Sequence, residues 1–177
     1  MRGRRMGTAT DAHDPLLEWD AGMSTHWNIA EMNVAAMRYP VRDPRMADFF
    51  AAIDVINADA DAAPGFVWRM PEYLEESDAI EVGGAANLLV NMSLWRDLDA
   101  LRTFTYENHD HLGALRRRRE WFVRTDIPNY VLWWVPDGEL PTVSDGRRRL
   151  ALLHEHGPGP DAFTFAALQP QPLSFAS

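Results

Sequence analysis

The residues most capable of chemistry lie in one stretch, TYENHDHLGALRRRREWF, residues 105–122, which combines two histidines, an aspartate, four successive arginines and a Trp-Phe pair. Three chemistries compete for it: metal ligation, anion or nucleic-acid binding, and acid–base work from a helix. A helical metal pair wants ligands four residues apart, whereas His109 and His111 are two apart, as are His154 and His156, and no acidic residue is placed to complete a set. The spacing therefore predicts no metal site. Positions two apart on a helix do not share a face, so His111 falls with Leu98, Leu101, Phe104, Asn108, Leu115 and Phe122 on an apolar side while His109 turns outward. Arg116 to Arg119 span a full helical turn. The step from Leu115 to Phe122 favours Arg118 or Arg119 as the inward member, placed to meet an anionic or phenolate substrate, with the others and Glu120 forming a solvated face.

Composition narrows the choice. The 177 residues contain no cysteine and no lysine, so thiolate nucleophiles, cysteine-ligated metals and Schiff-base chemistry are excluded, and all 17 basic residues are arginine. A formal net charge of −9 opposes a phosphate backbone, because nucleic-acid affinity is mostly counterion release onto a basic surface. No nucleic-acid partner is expected. MRGRRMGTAT lacks a following apolar core, and no run approaches the roughly 18 apolar residues of a membrane span. The expectation is a cytoplasmic protein without a membrane partner.

The elements that must position these groups follow from periodicity. Residues 26–37 alternate as a strand, with Ala30, Met32 and Val34 on one face and Glu31, Asn33 and Ala35 on the other. Asp43-Pro44 reads as an N-cap and first turn for a helix carrying Met46, Phe49, Phe50, Ile53 and Ile56 and ending before Pro64-Gly65. GFVWRM (65–70) is a short strand, and after an acidic loop with Gly83-Gly84, NLLVNMSLW (87–95) is another, with Asn91, Ser93 and Trp95 in one phase. One long helix is expected over 97–122, a last core strand over 129–136, and a helix over 143–156 with Thr142 and Asp145 as capping box and Gly157 as C-cap. Residues 1–24 read as a flexible arm, 25–157 as the folded domain, and 158–177 as a tail in which Phe163 and Phe165 dock.

Strand, helix, strand, strand, helix, strand is the split βαβ pattern of a ferredoxin-like α+β sandwich with an antiparallel sheet, here with an extra C-terminal helix. A sheet apolar on both faces needs a second cover, and the simplest is another subunit, so a homodimer is expected. The natural pocket lies between helices and sheet. Its candidate groups are His111 and Asn33 as catalytic residues, with Trp68, Asn91, Trp95, Phe104, Asn108 and Arg118 contacting substrate. Against this stands a plainer reading, in which His111 is a hydrogen-bonded core histidine and the tryptophans are core.

IAEMNVAAMRYPVRDPRMADF (29–49), GFVWRM, NMSLW (91–95), HLGALRRRREWF (111–122) and YVLWWVP (130–136) resemble the family known as domain of unknown function 3291, grouped with the dimeric α/β-barrel superfamily. That superfamily includes cofactor-free monooxygenases of antibiotic biosynthesis, haem-degrading monooxygenases and polyketide cyclases. The resemblance implies a dimeric α/β-barrel and a small-molecule enzyme of secondary metabolism. A cofactor-independent monooxygenase acting on an aromatic or polyketide-like substrate leads, with a cyclase or isomerase in the same pocket as runner-up. Haem-degrading relatives use a first-strand asparagine and a second-helix histidine, for which Asn33 and His111 are approximate counterparts. Counted from Trp95 the histidine falls about one turn early, and Phe104 stands where that group has a pocket tryptophan. Cofactor-free catalysis is thus expected, with haem binding through His111 and a non-catalytic ligand-binding dimer as the other readings.

Overall fold

A computed structural model describes residues 26–71 and 88–173. The expected N-terminal arm and the acidic loop with Gly83-Gly84 lie outside the described residues. Four strands, β1 (Trp27–Ala36), β2 (Phe66–Arg69), β3 (Leu88–Trp95) and β4 (Tyr130–Pro136), form one antiparallel sheet in the order β2-β3-β1-β4. Four helices accompany them: α1 (Ala47–Ala62), α2 (Leu98–Glu107), α3 (His109–Trp121) and α4 (Val143–His156). The order and pairing are those of a ferredoxin-like α+β sandwich.

The alternation read from β1 sorts the two faces. Ala30, Met32, Val34 and Ala36 join Val90, Met92, Val131 and Trp133 in a core that Leu150 and Leu153 of α4 complete. Helix α4 starts on the Thr142–Asp145 capping box and stops at Gly157, whose φ of 76° suits a glycine. It sits so close to the sheet that a Cβ on Gly146 would overlap the Met32 sulfur. The bare apolar face that called for a second subunit is therefore covered within the chain, so the argument for a homodimer from an unpartnered sheet does not hold here. The opposite face carries α1, α2 and α3 and holds two further clusters, one around Trp95, Leu101 and Phe163, the other around Phe49, Leu89 and Trp121.

Two local departures decide where the chemistry sits. The expected single helix over 97–122 is broken at Asn108, whose backbone is extended (φ −68°, ψ 125°) and which closes α2 and caps α3. Its Oδ1 accepts from the His111 amide at 2.8 Å, and its Nδ2 donates to Asp59 of α1 at 3.0 Å. Asparagine competes with helical backbone bonding and favours caps over interiors, so the break falls here rather than at Gly113. The second departure is a bulge in β2. Phe66 lies opposite Trp95, but Trp68 lies opposite Leu94 and Arg69 opposite Ser93, because one residue is inserted between Phe66 and Trp68.

Beyond α4 the chain returns to the sheet edge. Phe163 and Leu132 exchange backbone hydrogen bonds of 2.8 and 3.0 Å, and Phe163 is fully buried. Phe165 follows, held through its amide by the Tyr130 hydroxyl at 3.2 Å. Among the described residues no helix is long and apolar enough to cross a membrane.

Candidate active site

Between the sheet and the α1–α3 layer lies a cavity of about 480 Å³, within the size range of small-molecule sites. The floor is the polar phase of the strands: Glu31 and Asn33 of β1, Asn91 and Ser93 of β3, and Tyr130 of β4. The register explains the cluster, since Asn33 faces Asn91 on one side and Tyr130 on the other, while Glu31 faces Ser93. Walls come from Trp95, Leu101, Phe104, Ile56 and Trp121, and Phe165 closes one end against Tyr106, ring to ring at 5.2 Å.

Glu31 is the most perturbed group in the cavity. Removing its carboxylate from water raises its pKa from the ordinary 4.5 to about 7, although an Asn33 amide donating to Oε1 at 3.0 Å pulls the other way. A carboxyl in this state is divided between acid and base near neutral pH, the condition a general base needs.

His111 hangs over the same cavity from the first turn of α3. Its Nδ1 lies 2.8 Å from the carbonyl oxygen of Thr105, a bond possible because the break at Asn108 leaves that carbonyl without its usual helical donor. A carbonyl only accepts, so Nδ1 carries the proton and the neutral ring keeps its lone pair on Nε2. Burial lowers the His111 pKa, with the Thr105 bond opposing, which favours that neutral form. Its ring packs against Phe104 at 5.5 Å, and Phe104 against Trp95 at 4.9 Å. Tyr130 is pushed the other way: burial raises its pKa, so its hydroxyl stays protonated and able to donate.

Of the expected site residues, Asn33, Asn91, Trp95, Phe104, His111 and Arg118 line this cavity together. Trp68 does not. The bulge turns it to the α4 side of the sheet, where it packs on the Met32 core, and sends Arg69 to the cavity in its place. Arg69 is already committed to Asp61 through two bonds of 2.8 and 3.0 Å. Asn108 also lies outside the cavity and acts as a brace for α3. Reasoning from sequence placed Glu31 in the polar phase of the first strand without counting it among the site residues. The signal was there, a carboxylate two residues from Asn33 on the same face of an otherwise apolar strand. Among the described residues no group of three His, Cys, Asp or Glu side chains is arranged to hold a metal ion.

The brace makes a testable claim. Asn108→Ala removes the α3 cap and the tie to Asp59 and is expected to cost about 1–2 kcal/mol, measured by urea unfolding. In the same variant the His111 ring should lose its fixed Nδ1–H tautomer in ¹⁵N NMR. Asn108→Ser, which keeps a capping oxygen, should restore both, and a serine variant as impaired as alanine would refute the capping role.

A split βαβ sandwich with a polar-floored cavity between its layers defines a ferredoxin-like α+β protein with a candidate small-molecule site. The chain belongs to the family described as domain of unknown function DUF3291, whose model matches residues 28–175. No curated protein matches its sequence. Among solved structures it is similar to SnoaB, a cofactor-independent oxygenase from Streptomyces nogalater, at 21% identity over 65% of this chain and 98% of that one, with a TM-score of 0.44. It is also similar to Rv0793 from Mycobacterium tuberculosis (16% identity, 66% and 98% of the two chains, TM-score 0.43) and PA3566 from Pseudomonas aeruginosa (14%, 67% and 99%, TM-score 0.42).

Proposed function

We propose that this protein is a small-molecule enzyme that removes a proton from an acidic C–H or phenol of an aromatic or polyketide-like compound without a bound cofactor. The observation that carries the reading is the Glu31 carboxyl, held by Asn33 at the floor of an aromatic cavity with its pKa near 7. Glu31 takes the proton. The neutral His111 Nε2 accepts a hydrogen bond from a substrate hydroxyl, and Asn91 and Tyr130 offer donors to the oxyanion that develops as the proton leaves. Trp95 and Phe104 keep the site dry, which strengthens each of these interactions.

From the carbanion two outcomes diverge. In monooxygenation it passes an electron to dioxygen, the radical pair combines to a peroxide, and loss of water leaves a ketone where a CH₂ stood. In cyclisation or isomerisation the proton returns to another atom and no oxygen is consumed. The monooxygenase is the reading we favour, because an aromatic-walled cavity suits an extended, delocalised carbanion.

The test is proton exchange in D₂O. Anthrone, 2-naphthol and a cyclic β-diketone, incubated without oxygen, should exchange their acidic C–H faster with the protein than in buffer, followed by NMR. Admitting air should then draw oxygen stoichiometric with ketone formation. Exchange with no oxygen uptake supports the isomerase class, whereas no catalysed exchange with any of the three defeats the proton-abstraction reading. A Soret band on adding haem, lost in His111→Ala, would support haem binding instead.

A further inference from the structure

The cavity wall carries a cation, Arg118, that forms no ion pair among the described residues. Arg118 lines the cavity from the last turn of α3, and its Nη1 folds back to its own helix, donating to the Leu115 carbonyl at 2.7 Å. Among the described residues no carboxylate pairs with it. The contrast with its neighbours is informative: Arg117 is bound by Asp48 and Glu120, Arg69 by Asp61, Arg45 by Asp43 and Arg96 by Asp97. Of the two arginines that line the cavity, Arg69 and Arg118, only Arg69 has an acidic partner among the described residues. The Leu115 contact uses one nitrogen of the guanidinium, which has five N–H donors in a planar fork that matches a carboxylate.

The surroundings of Arg118 reinforce its charge. Arg116, Arg118 and Arg119 are exposed on the same helix, and Arg38, two residues past β1, reaches the end of α3, where its Nε donates to the carbonyls of Arg119 and Phe122 at 2.9 and 3.0 Å. This side of the molecule is locally basic on an acidic protein, an arrangement that draws small anions toward the cavity. The cavity floor presents the opposite preference. Glu31 at its half-protonated point and a protonated Tyr130 suit a neutral, weakly acidic group.

We propose that the substrate is a carboxylate-bearing aromatic or polyketide-like molecule, whose acid group seats on Arg118 while its apolar body and its weakly acidic C–H or phenol reach the Glu31 floor. This rests on the proton-abstraction reading for what happens at the floor, but the anchor itself is a binding claim and is tested as one. Arg118 fixes which end of the molecule enters first, and therefore which carbon meets Glu31.

The probes are 2-naphthoic acid and 2-naphthamide, which share size and shape and differ in charge. Binding to the intact protein is followed at pH 8 by tryptophan fluorescence and confirmed by calorimetry. The acid is expected to bind at least tenfold more tightly than the amide at low salt, with the margin shrinking as salt is raised. In Arg118→Gln the margin should vanish with the amide's affinity unchanged, while Arg119→Gln should leave both probes as in the parent. Equal binding of acid and amide by the parent protein, no binding of either at millimolar concentration, or a margin that survives Arg118→Gln would overturn the proposal. The two readings fail separately. If the acid binds through Arg118 but no probe exchanges deuterium, the anchor stands and the catalytic reading falls; catalysed exchange of the neutral diketone with no preference for the acid gives the reverse.

Discussion

Replacing Glu31 by glutamine is expected to cut catalysed deuterium exchange by about 10²–10⁴-fold, the usual contribution of a positioned general base, and at the same time to stabilise the protein above pH 7. The first effect follows from removing the one carboxyl that lines the cavity among the described residues, poised near neutrality. The second follows from linkage. Because the folded state raises Glu31 from 4.5 to about 7, the native protein holds a proton there that the unfolded chain has released, so stability falls as pH rises from about 4.5 through 7. The full ionisation penalty at alkaline pH is on the order of 3 kcal/mol, and water entering the cavity reduces it. Glutamine keeps the shape and the Asn33 contact without the charge. Urea unfolding at pH 8.5 should therefore show a gain of roughly 1–3 kcal/mol, and at pH 4.5, where the parent Glu31 is protonated, almost none. A gain equal at both pH values would mean the carboxyl is not held above its ordinary range. In the parent protein, exchange should rise with pH through about 7 as Glu31 releases its proton, and that rising limb should be absent in the variant.

A variant that loses activity and gains stability would also separate function from architecture, which burial alone does not. Asn28 is as buried a polar residue as the sheet contains, yet it bonds Asp137 at 3.1 Å and its role is structural. Among the described residues Asn33 is the hydrogen-bonding neighbour of Glu31, a carboxylate that accepts several bonds, and Glu31 faces a cavity rather than packed side chains.

The cavity floor was readable from strand alternation because the period of two is strict. Once Met32 and Val34 are assigned to one face, Asn33 must share the other with Glu31, and the same holds for Asn91 and Trp95. The errors came where a single residue breaks the period. The inserted residue in β2 moved Trp68 out of the cavity and Arg69 into it, and nothing in GFVWRM marks a bulge, since Val67 is a normal strand residue. Helical phase reached His111 for a reason that was only half right. The helix it was counted along is broken at Asn108, and the histidine faces the cavity because its own α3 is capped and braced there. The covering of the far face by α4 depended on how closely Gly146 lets two backbones approach, which periodicity does not encode. Glu31 shares the face of Asn33, but carboxylates are usually solvated, so residue type alone does not mark it as a buried group.

The largest expected loss of stability lies away from the cavity, at Gly65, in the turn that feeds β2. Its φ of 83° is in the left-handed region, and a Cβ there would stand 2.6 Å from the Ala100 Cβ and 3.3 Å from the Arg96 Nη2. The Gly65 carbonyl accepts from the Arg96 amide at 2.7 Å, so the turn is bound to the residue just before the α2 N-cap rather than free to retreat. Alanine at 65 thus carries a backbone cost of about 1–2 kcal/mol and a packing cost of about 1–3 kcal/mol. The expected loss on urea unfolding is roughly 2–5 kcal/mol, a large part of a typical domain's stability. The two causes separate in a double-mutant cycle. Adding Ala100→Gly to Gly65→Ala removes the Cβ overlap but leaves the dihedral, and alone it weakens α2 by about 1 kcal/mol. A favourable coupling of about 1–2 kcal/mol between the two sites is the signature of the overlap, whereas no coupling would assign the whole loss to backbone conformation. Because α2 carries Leu101 and Phe104 into the cavity wall, relief of the overlap by a shift of that helix also displaces the ring on which His111 rests. Deuterium exchange in Gly65→Ala protein, measured at a temperature where it remains folded, should therefore fall, and should recover in the double variant.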